Sequence, residues 1–203
     1  MISVIDYGLG NLGSVCNMFK KVGYEAMIIT SPEDLNKATK IILPGVGAFD
    51  TGMKNLNEGQ WIKALNKRVL EDKIPTLGIC LGMQLMCRSS EEGSLSGLGW
   101  INGRTKKFHF ENKDLKSPHM GWNNCLPQKE SSLIIDDFEV RRYYFVHSYF
   151  VEMTSASDIL FTTVYDKEFT SAFEVDNIIG VQFHPEKSHK FGLSLFKNFA
   201  ERY

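Results

Sequence analysis

The chain has 203 residues, 43% of them hydrophobic, with 3 Trp, 7 Tyr and 14 Phe, enough to bury one substantial core and within the range of a single domain. Its 23 Lys and Arg and 24 Asp and Glu are dispersed and leave a formal net charge of −1, so no basic footprint for nucleic acid or an anionic membrane is present. No stretch is long and apolar enough to span a bilayer, and the first residues lack a basic, apolar leader, which points to a cytoplasmic protein acting on small polar metabolites or protein partners.

Short apolar runs rich in β-branched residues fall at 2–5, 26–30, 41–43 and 75–79, separated by segments of helical character. Continuous apolar strands of this kind are buried on both faces. The pattern therefore predicts an α/β fold with a doubly wound, mostly parallel sheet and helices on both sides. Ligands then bind beyond the carboxyl ends of the strands. After the first strand, Gly8-Leu9-Gly10-Asn11-Leu12-Gly13 matches the dinucleotide-binding pattern G-x-G-x-x-G. The acid expected on a ribose is missing, because the second strand ends in Thr30-Ser31-Pro32 and Glu33 is better explained as a first-turn helix charge. The glycines are read instead as a tight turn. Ser31-Pro32-Glu33-Asp34 has the composition of a helix start, and a further helix is predicted over 61–71.

The third strand runs into Leu43-Pro44-Gly45-Val46-Gly47 and the fourth into Leu77-Gly78-Ile79-Cys80-Leu81-Gly82. A glycine two residues either side of Cys80 suggests a sharp strand-to-helix bend that exposes the sulfur, like the G-x-S-x-G elbow of hydrolases with a thiol as nucleophile. Unpaired N–H groups at the start of the following helix favour the thiolate, the form that attacks carbonyl carbon. Backbone N–H groups of the glycine-rich segment on the neighbouring strand, with that of Leu81, are placed to hold a developing oxyanion. After Gly99 the stretches 100–110, 143–153, 159–165 and 172–183 read as strands whose close succession predicts antiparallel pairing in the C-terminal half. Phe191, Leu195, Phe196 and Phe199 recur at helical spacing as a core-facing stripe.

The four cysteines, at 16, 80, 87 and 125, form no C-x-x-C pair and have no histidine at metal-ligand spacing, so neither a disulfide framework nor a zinc site is predicted. Only Cys80 has the glycine setting of a nucleophile. Among the five histidines, His184 ends an apolar strand in Val181-Gln182-Phe183-His184-Pro185-Glu186, and Glu186 can accept a proton from one ring nitrogen and fix the tautomer. His147, between Val146 and Ser148, is the main competitor. A Cys-His-Glu triad of this kind predicts acyl transfer without identifying the acyl group. A hydrolase of peptides or other small amides, and a noncatalytic subunit that keeps the fold, remain open on these residues alone.

The segments Ile5 to Asn11, Leu43 to Phe49, Gly78 to Gln84, Ser89 to Gly93, Pro118 to Asn123, Tyr144 to Tyr149 and Gln182 to Ser188 resemble those of the class I, triad-type, glutamine amidotransferases, and they span nearly the whole chain. The resemblance implies a glutaminase with Cys80 as nucleophile, His184 as base and acid, and Glu186 as its orienter. It implies that L-glutamine is held by Gly45, Gln84, Glu92 and Ser148, with oxyanion donors at Val46, Gly47 and Leu81. It places Asn11, Trp122 and Tyr144 against a separate synthase that receives the ammonia. That partner is expected to be the (β/α)8-barrel cyclase of the histidine pathway. Ser188-His189-Lys190-Phe191-Gly192 is similar to a branch serving a sugar amidotransferase instead. No metal or organic cofactor is implied.

Overall fold

The computed structural model describes residues 1–112 and 114–203. Strand β1 (Ile2–Ile5), buried at every position, is flanked in parallel by β2 (Ala26–Ile29) and β3 (Lys40–Gly45). β3 continues in parallel to β4 (Thr76–Cys80), which pairs in parallel with β11 (Ile178–Val181). From β11 the sheet turns antiparallel through β10 (Lys167–Val175), β9 (Ile159–Tyr165), β6 (His119–Pro127) and β7 (Arg141–His147). β5 (Gly103–Lys107) pairs with β8 (Tyr149–Met153), which joins the sheet at the Val151–Thr170 contact with β10.

Helices cover both faces of the parallel half, as the continuous apolar strands demand. On one side lie α1 (Leu12–Lys21) and α5 (His189–Arg202), joined by the Phe19 and Phe196 rings at 4.7 Å. On the other lie α2 (Phe49–Glu58) and α3 (Trp61–Asn66), with buried Phe49, Met53, Leu56, Trp61 and Leu65. Alternation along β3 serves both layers: Ile42 enters the α1/α5 core, and Ile41 and Leu43 enter the other.

Several predicted elements differ in detail. Ser31 to Asp34 opens a short 3-10 segment, Pro32–Lys37, because the Ser31 hydroxyl bonds the Glu33 carboxylate rather than capping a backbone N–H. The helix predicted over 61–71 changes at Asn66 into a π-helical turn, Lys67–Glu71. Of 100–110 only Gly103–Lys107 is strand. The stretch 143–153 breaks at Ser148, its first part pairing with β6 and its second with β5, and 172–183 is a hairpin turned at Asp176 and Asn177 with Asp176 at φ 51°. β6 is absent from the sequence prediction. Gly121 at φ +124° and the pair Asn123-Asn124 interrupt the alternation that would have revealed it.

Phe196 is fully buried where α5 meets α1, whereas Phe191 is only partly buried. Phe196→Ala is expected to cost about 3–5 kcal/mol of stability and Phe191→Ala distinctly less, measured by urea unfolding.

Candidate active site

The registers of three parallel strands assemble the site. Gly45 at the end of β3 lies opposite Cys80 at the end of β4, and Val181 at the end of β11 lies opposite Ile79. All three carboxyl ends therefore open on one side of the sheet, where an α/β architecture binds its ligands.

The bend after β4 is made by Cys80 itself, at φ 53° and ψ −107°, a conformation that L side chains rarely adopt. The flanking glycines supply room rather than the turn, which corrects the role the sequence suggested for them. A methyl group on Gly82 would overlap the Leu43 carbonyl oxygen, and one on Gly78 would lie 2.8 Å from the Met83 nitrogen. The helix that follows, α4 (Leu81–Leu85), has five residues and is buried throughout, so its dipole is smaller than that of a full helix.

His184 follows β11 and is fixed by backbone bonds. Its N–H donates to the Tyr144 carbonyl at 2.8 Å, and its own carbonyl accepts from the Ser188 hydroxyl at 2.6 Å. Ser188 in turn accepts the Tyr144 N–H at 3.0 Å, tying the segment to β7. His184 Nδ1 lies 2.8 Å from Glu186 Oε1, and both side chains are almost wholly buried, at 1% and 3% exposure. Burial pulls the imidazole down, but interaction with the Cys80 sulfur and the Glu186 carboxylate outweighs it and pushes the ring up to about 10. Nε2 has no nitrogen or oxygen partner. The arrangement is that of an imidazolium beside a sulfur nucleophile, able to give its proton to a leaving group.

A cavity of about 380 Å³ opens over these groups, within the range of small-molecule sites. Of the residues singled out from sequence, Val46, Gly47, Cys80, Leu81, Gln84, Glu92, Ser148 and His184 line it. Gly47 has φ +110°, and among the described residues neither its N–H nor that of Val46 is bonded within the chain. Gly45 sits just behind, where any side chain would collide with the Tyr7 hydroxyl. That hydroxyl donates to the Pro44 carbonyl at 2.7 Å, and burial, then the nearby Cys80 sulfur, pushes its pKa up. Glu92 Oε2 accepts the first N–H of α2, that of Phe49, at 2.9 Å. Asp50 reciprocates by accepting the Ser94 and Leu95 N–H groups, which hold its carboxyl below the usual range. Gln84 is buried, with Nε2 donating to the Tyr149 carbonyl at 3.2 Å and to Gln182 Oε1 at 3.0 Å. This leaves Oε1 as its free acceptor.

Asn11, Trp122 and Tyr144 are outside the cavity. Trp122 and Tyr144 are cross-strand partners with rings 6.3 Å apart, and His189 stacks on Trp122 at 5.5 Å. Asn11 is exposed at the start of α1, beside the turn in which Gly8 and Gly10 have φ +86° and +113°. The third glycine of that motif, Gly13, has open space around its Cα, so only the first two are needed for the turn. Among the described residues no group of three or more His, Cys, Asp or Glu could hold a metal ion, and no helix is long and apolar enough to cross a membrane.

Sequence reasoning gave no role to Gln182 or His119 and weighed His147 only as a rival to His184. Gln182 is wholly buried between Val181 and Phe183, and an amide inside an apolar strand is the signal that could have marked it. His147 lines the cavity, with Nδ1 2.7 Å from the Tyr149 carbonyl and Nε2 3.0 Å from His119 Nδ1. The carbonyl can only accept, so His147 donates from Nδ1 and receives at Nε2, and His119 then accepts from the Asn123 amide. Burial depresses His147 to about 3 and His119 to about 4, so both rings are neutral beside the charged His184.

A family model described as glutamine amidotransferase class-I matches residues 3–202. The chain is 55% identical to the imidazole glycerol phosphate synthase subunit HisH 2 of Methanococcus maripaludis, over 100% of both chains. It is 49% identical to the subunit HisH 2 of Pseudomonas aeruginosa over 99% of each, and 44% identical to the subunit HisH of Leptospira interrogans over 98% of this chain and 99% of that one. Among solved structures, one described as a glutamine amidotransferase superposes with a TM-score of 0.75 at 18% identity, covering 98% of this chain and 97% of that one. The glutaminase domain of Trypanosoma brucei CTPS with bound acivicin gives 0.65 at 18% identity, over 100% and 94%. At such identity the likeness is one of fold.

Gly82→Ala is expected to destabilise the protein by about 3 kcal/mol, because the added methyl meets rigid backbone; urea unfolding measures it. The unfolded chain protonates its histidines near 6.5, whereas His119 and His147 resist until about 4 and 3, so the stability these two contribute is full above 6.5 and is lost as pH falls through that window. His119→Gln is expected to flatten this loss, read from denaturation midpoints at a series of pH values.

Proposed function

The chain belongs to the class I glutamine amidotransferase family, and from that premise we propose that it is the glutaminase subunit of an imidazole glycerol phosphate synthase. In this reading it hydrolyses L-glutamine to glutamate and passes the ammonia to a separate HisF-like (β/α)8 cyclase in histidine biosynthesis. The single observation that carries the reading is the juxtaposition of Cys80 and His184 at one edge of a cavity sized for an amino acid, with Glu186 holding the imidazole from behind.

The Cys80 thiolate attacks the side-chain carbonyl carbon of glutamine, and the carbonyl electrons move to an oxyanion held by the N–H groups of Val46, Gly47 and Leu81. As the oxyanion collapses, the C–N bond breaks and His184 gives its Nε2 proton to the departing nitrogen, releasing ammonia and a glutamyl thioester. Neutral His184 then takes a proton from water, the hydroxide adds to the thioester, and the C–S bond breaks to return thiolate and imidazolium with glutamate. Glu186 holds the ring and stabilises its charged form through both halves. Gln84, Glu92 and Ser148 supply the polar surface that fixes the amino-acid end of the substrate, with Gly45 directly behind the cavity wall. Ammonia freed into water becomes ammonium, which is no nucleophile. The site therefore has to be covered by the partner, and Asn11, Trp122 and Tyr144 lie on the surface available for it.

A second reading keeps the chemistry and changes the acceptor. The observation behind it is the Ser188-His189-Lys190-Phe191-Gly192 segment, similar to a branch serving a sugar amidotransferase, and the two relatives at 55% and 49% identity are both numbered as second HisH subunits.

Glutamate release is measured with L-glutamine alone, with a HisF-type cyclase and its nucleotide substrate, and with a sugar amidotransferase and its sugar. Stimulation in the cyclase arm is expected, and stimulation only in the sugar arm transfers the assignment to the second reading. Cys80→Ala is expected to lower stimulated release by on the order of 10³-fold or more, and Glu186→Gln by less. Unchanged release in Cys80→Ala removes the mechanism.

A further inference from the structure

Gln182 follows β11 directly, and its side chain has no contact with solvent. A buried primary amide carries two donors and an acceptor that need partners. Its Oε1 accepts from Gln84 Nε2 at 3.0 Å, and its Nε2 donates to the Cys80 sulfur at 3.6 Å, a normal length for a bond to sulfur.

The direction of this chain is fixed from its far end. Gln84 Nε2 also reaches the Tyr149 carbonyl at 3.2 Å, and a backbone carbonyl can only accept. The same carbonyl accepts from His147 Nδ1, which holds it in place. Gln84 must therefore present its NH2 group, Gln182 must answer with its oxygen, and the Gln182 NH2 is left facing the sulfur. Turning Gln182 over would set two NH2 groups against each other and a carbonyl against the sulfur, losing both bonds at once.

We propose that Gln182 is a positioning residue that donates a hydrogen bond to the Cys80 thiolate, oriented for that task by Gln84 and the Tyr149 carbonyl. The inference rests on the glutaminase reading of the site. The other ionisable groups around the sulfur have different work. His184, backed by Glu186, supplies charge from the segment after β11. Tyr7, in the turn after β1, donates its proton to the Pro44 carbonyl. Neutral His147 on β7 and Glu92 line the cavity. Among the described residues Gln182 is the uncharged side chain that donates to this sulfur. His184 surrenders its proton in the first half of the reaction and regains it in the second. The amide keeps its N–H throughout, so its bond is present whenever the sulfur carries charge.

The test is iodoacetamide alkylation of Cys80 in the full chain, followed by peptide mass spectrometry between about pH 5 and 10. The profile reads the reactivity of the Cys80 sulfur with His184 beside it. Gln182→Met is expected to move the midpoint upward, slowing alkylation at neutral pH about three- to tenfold and converging with the wild type at high pH. Gln84→Met frees Gln182 to turn and is expected to give a smaller shift in the same direction, and the double variant no more than Gln182→Met alone. A folded Gln182→Met protein with the wild-type profile overturns the proposal, as does a fully additive double variant. Should Gln182→Met fail to fold, an unchanged profile in Gln84→Met overturns it. Failure of the wild-type Cys80 to react at neutral pH counts against the glutaminase reading itself, a separate outcome.

Discussion

The site depends on one residue held where its backbone would not go by choice. Cys80 occupies positive φ without being glycine, a placement that costs on the order of 1–3 kcal/mol and persists only when the surroundings leave no alternative. Those surroundings are two strands and a short helix in near contact. β4 is paired on both sides, with β3 and with β11, so its end cannot relax sideways. α4 is pressed so closely on Leu43 that only glycine fits at position 82. The strain is thus paid for by the packing of the parallel sheet, and its product is a nearly buried cysteine at the wall of the cavity.

The same cavity holds two buried histidines in opposite charge states: burial depresses both rings, and the neighbours of only one reverse it. Both lose hydration. His184 meets a carboxylate and a sulfur that stabilise its proton, so it rises to about 10. His147 meets a carbonyl that accepts the proton it already has, together with His119 and the charged His184, both of which oppose a second one. A reading from sequence that ranks histidines by their immediate neighbours finds the His184–Glu186 contact because Glu186 lies only two residues from His184. It has no access to the reason His147 is unsuited, since His119 is brought to it by the pairing of β6 with β7.

That difference describes what was legible generally. The parallel half could be read because burial on both faces writes continuous apolar strands, and because the chemistry sits at strand ends marked by glycine. The antiparallel half was read less well. Ser148 breaks a run of β-formers into two strands with different partners, and Asp176 and Asn177 turn another run back on itself, yet local composition shows one stretch in each case. β6 was hidden by Gly121 and its asparagines, although it supplies both His119 and Trp122. The elbow was located correctly but for an incomplete reason, since the glycines admit neighbouring atoms while the cysteine makes the bend. Gln182 stood inside a recognised motif without a role, because its orientation is set by Gln84 and Tyr149, far away along the chain.

His184 is also linked mechanically to the outer surface. The Tyr144 carbonyl holds the His184 N–H, and the Tyr144 N–H is held by Ser188, whose hydroxyl is bonded back to His184. The ring of the same tyrosine lies beside Trp122, which is 39% exposed, and under the Lys187 ammonium at 5.8 Å, with Met120 61% exposed on the same strand as Trp122. Large exposed apolar side chains gathered at the edge of a cavity are the usual mark of a protein contact. A partner seated there under the proposed function presses on the residue whose backbone sets the position of the imidazole. No conformational wire through the core is then needed for partner and imidazole to influence one another, because a single residue of β7, Tyr144, belongs to both.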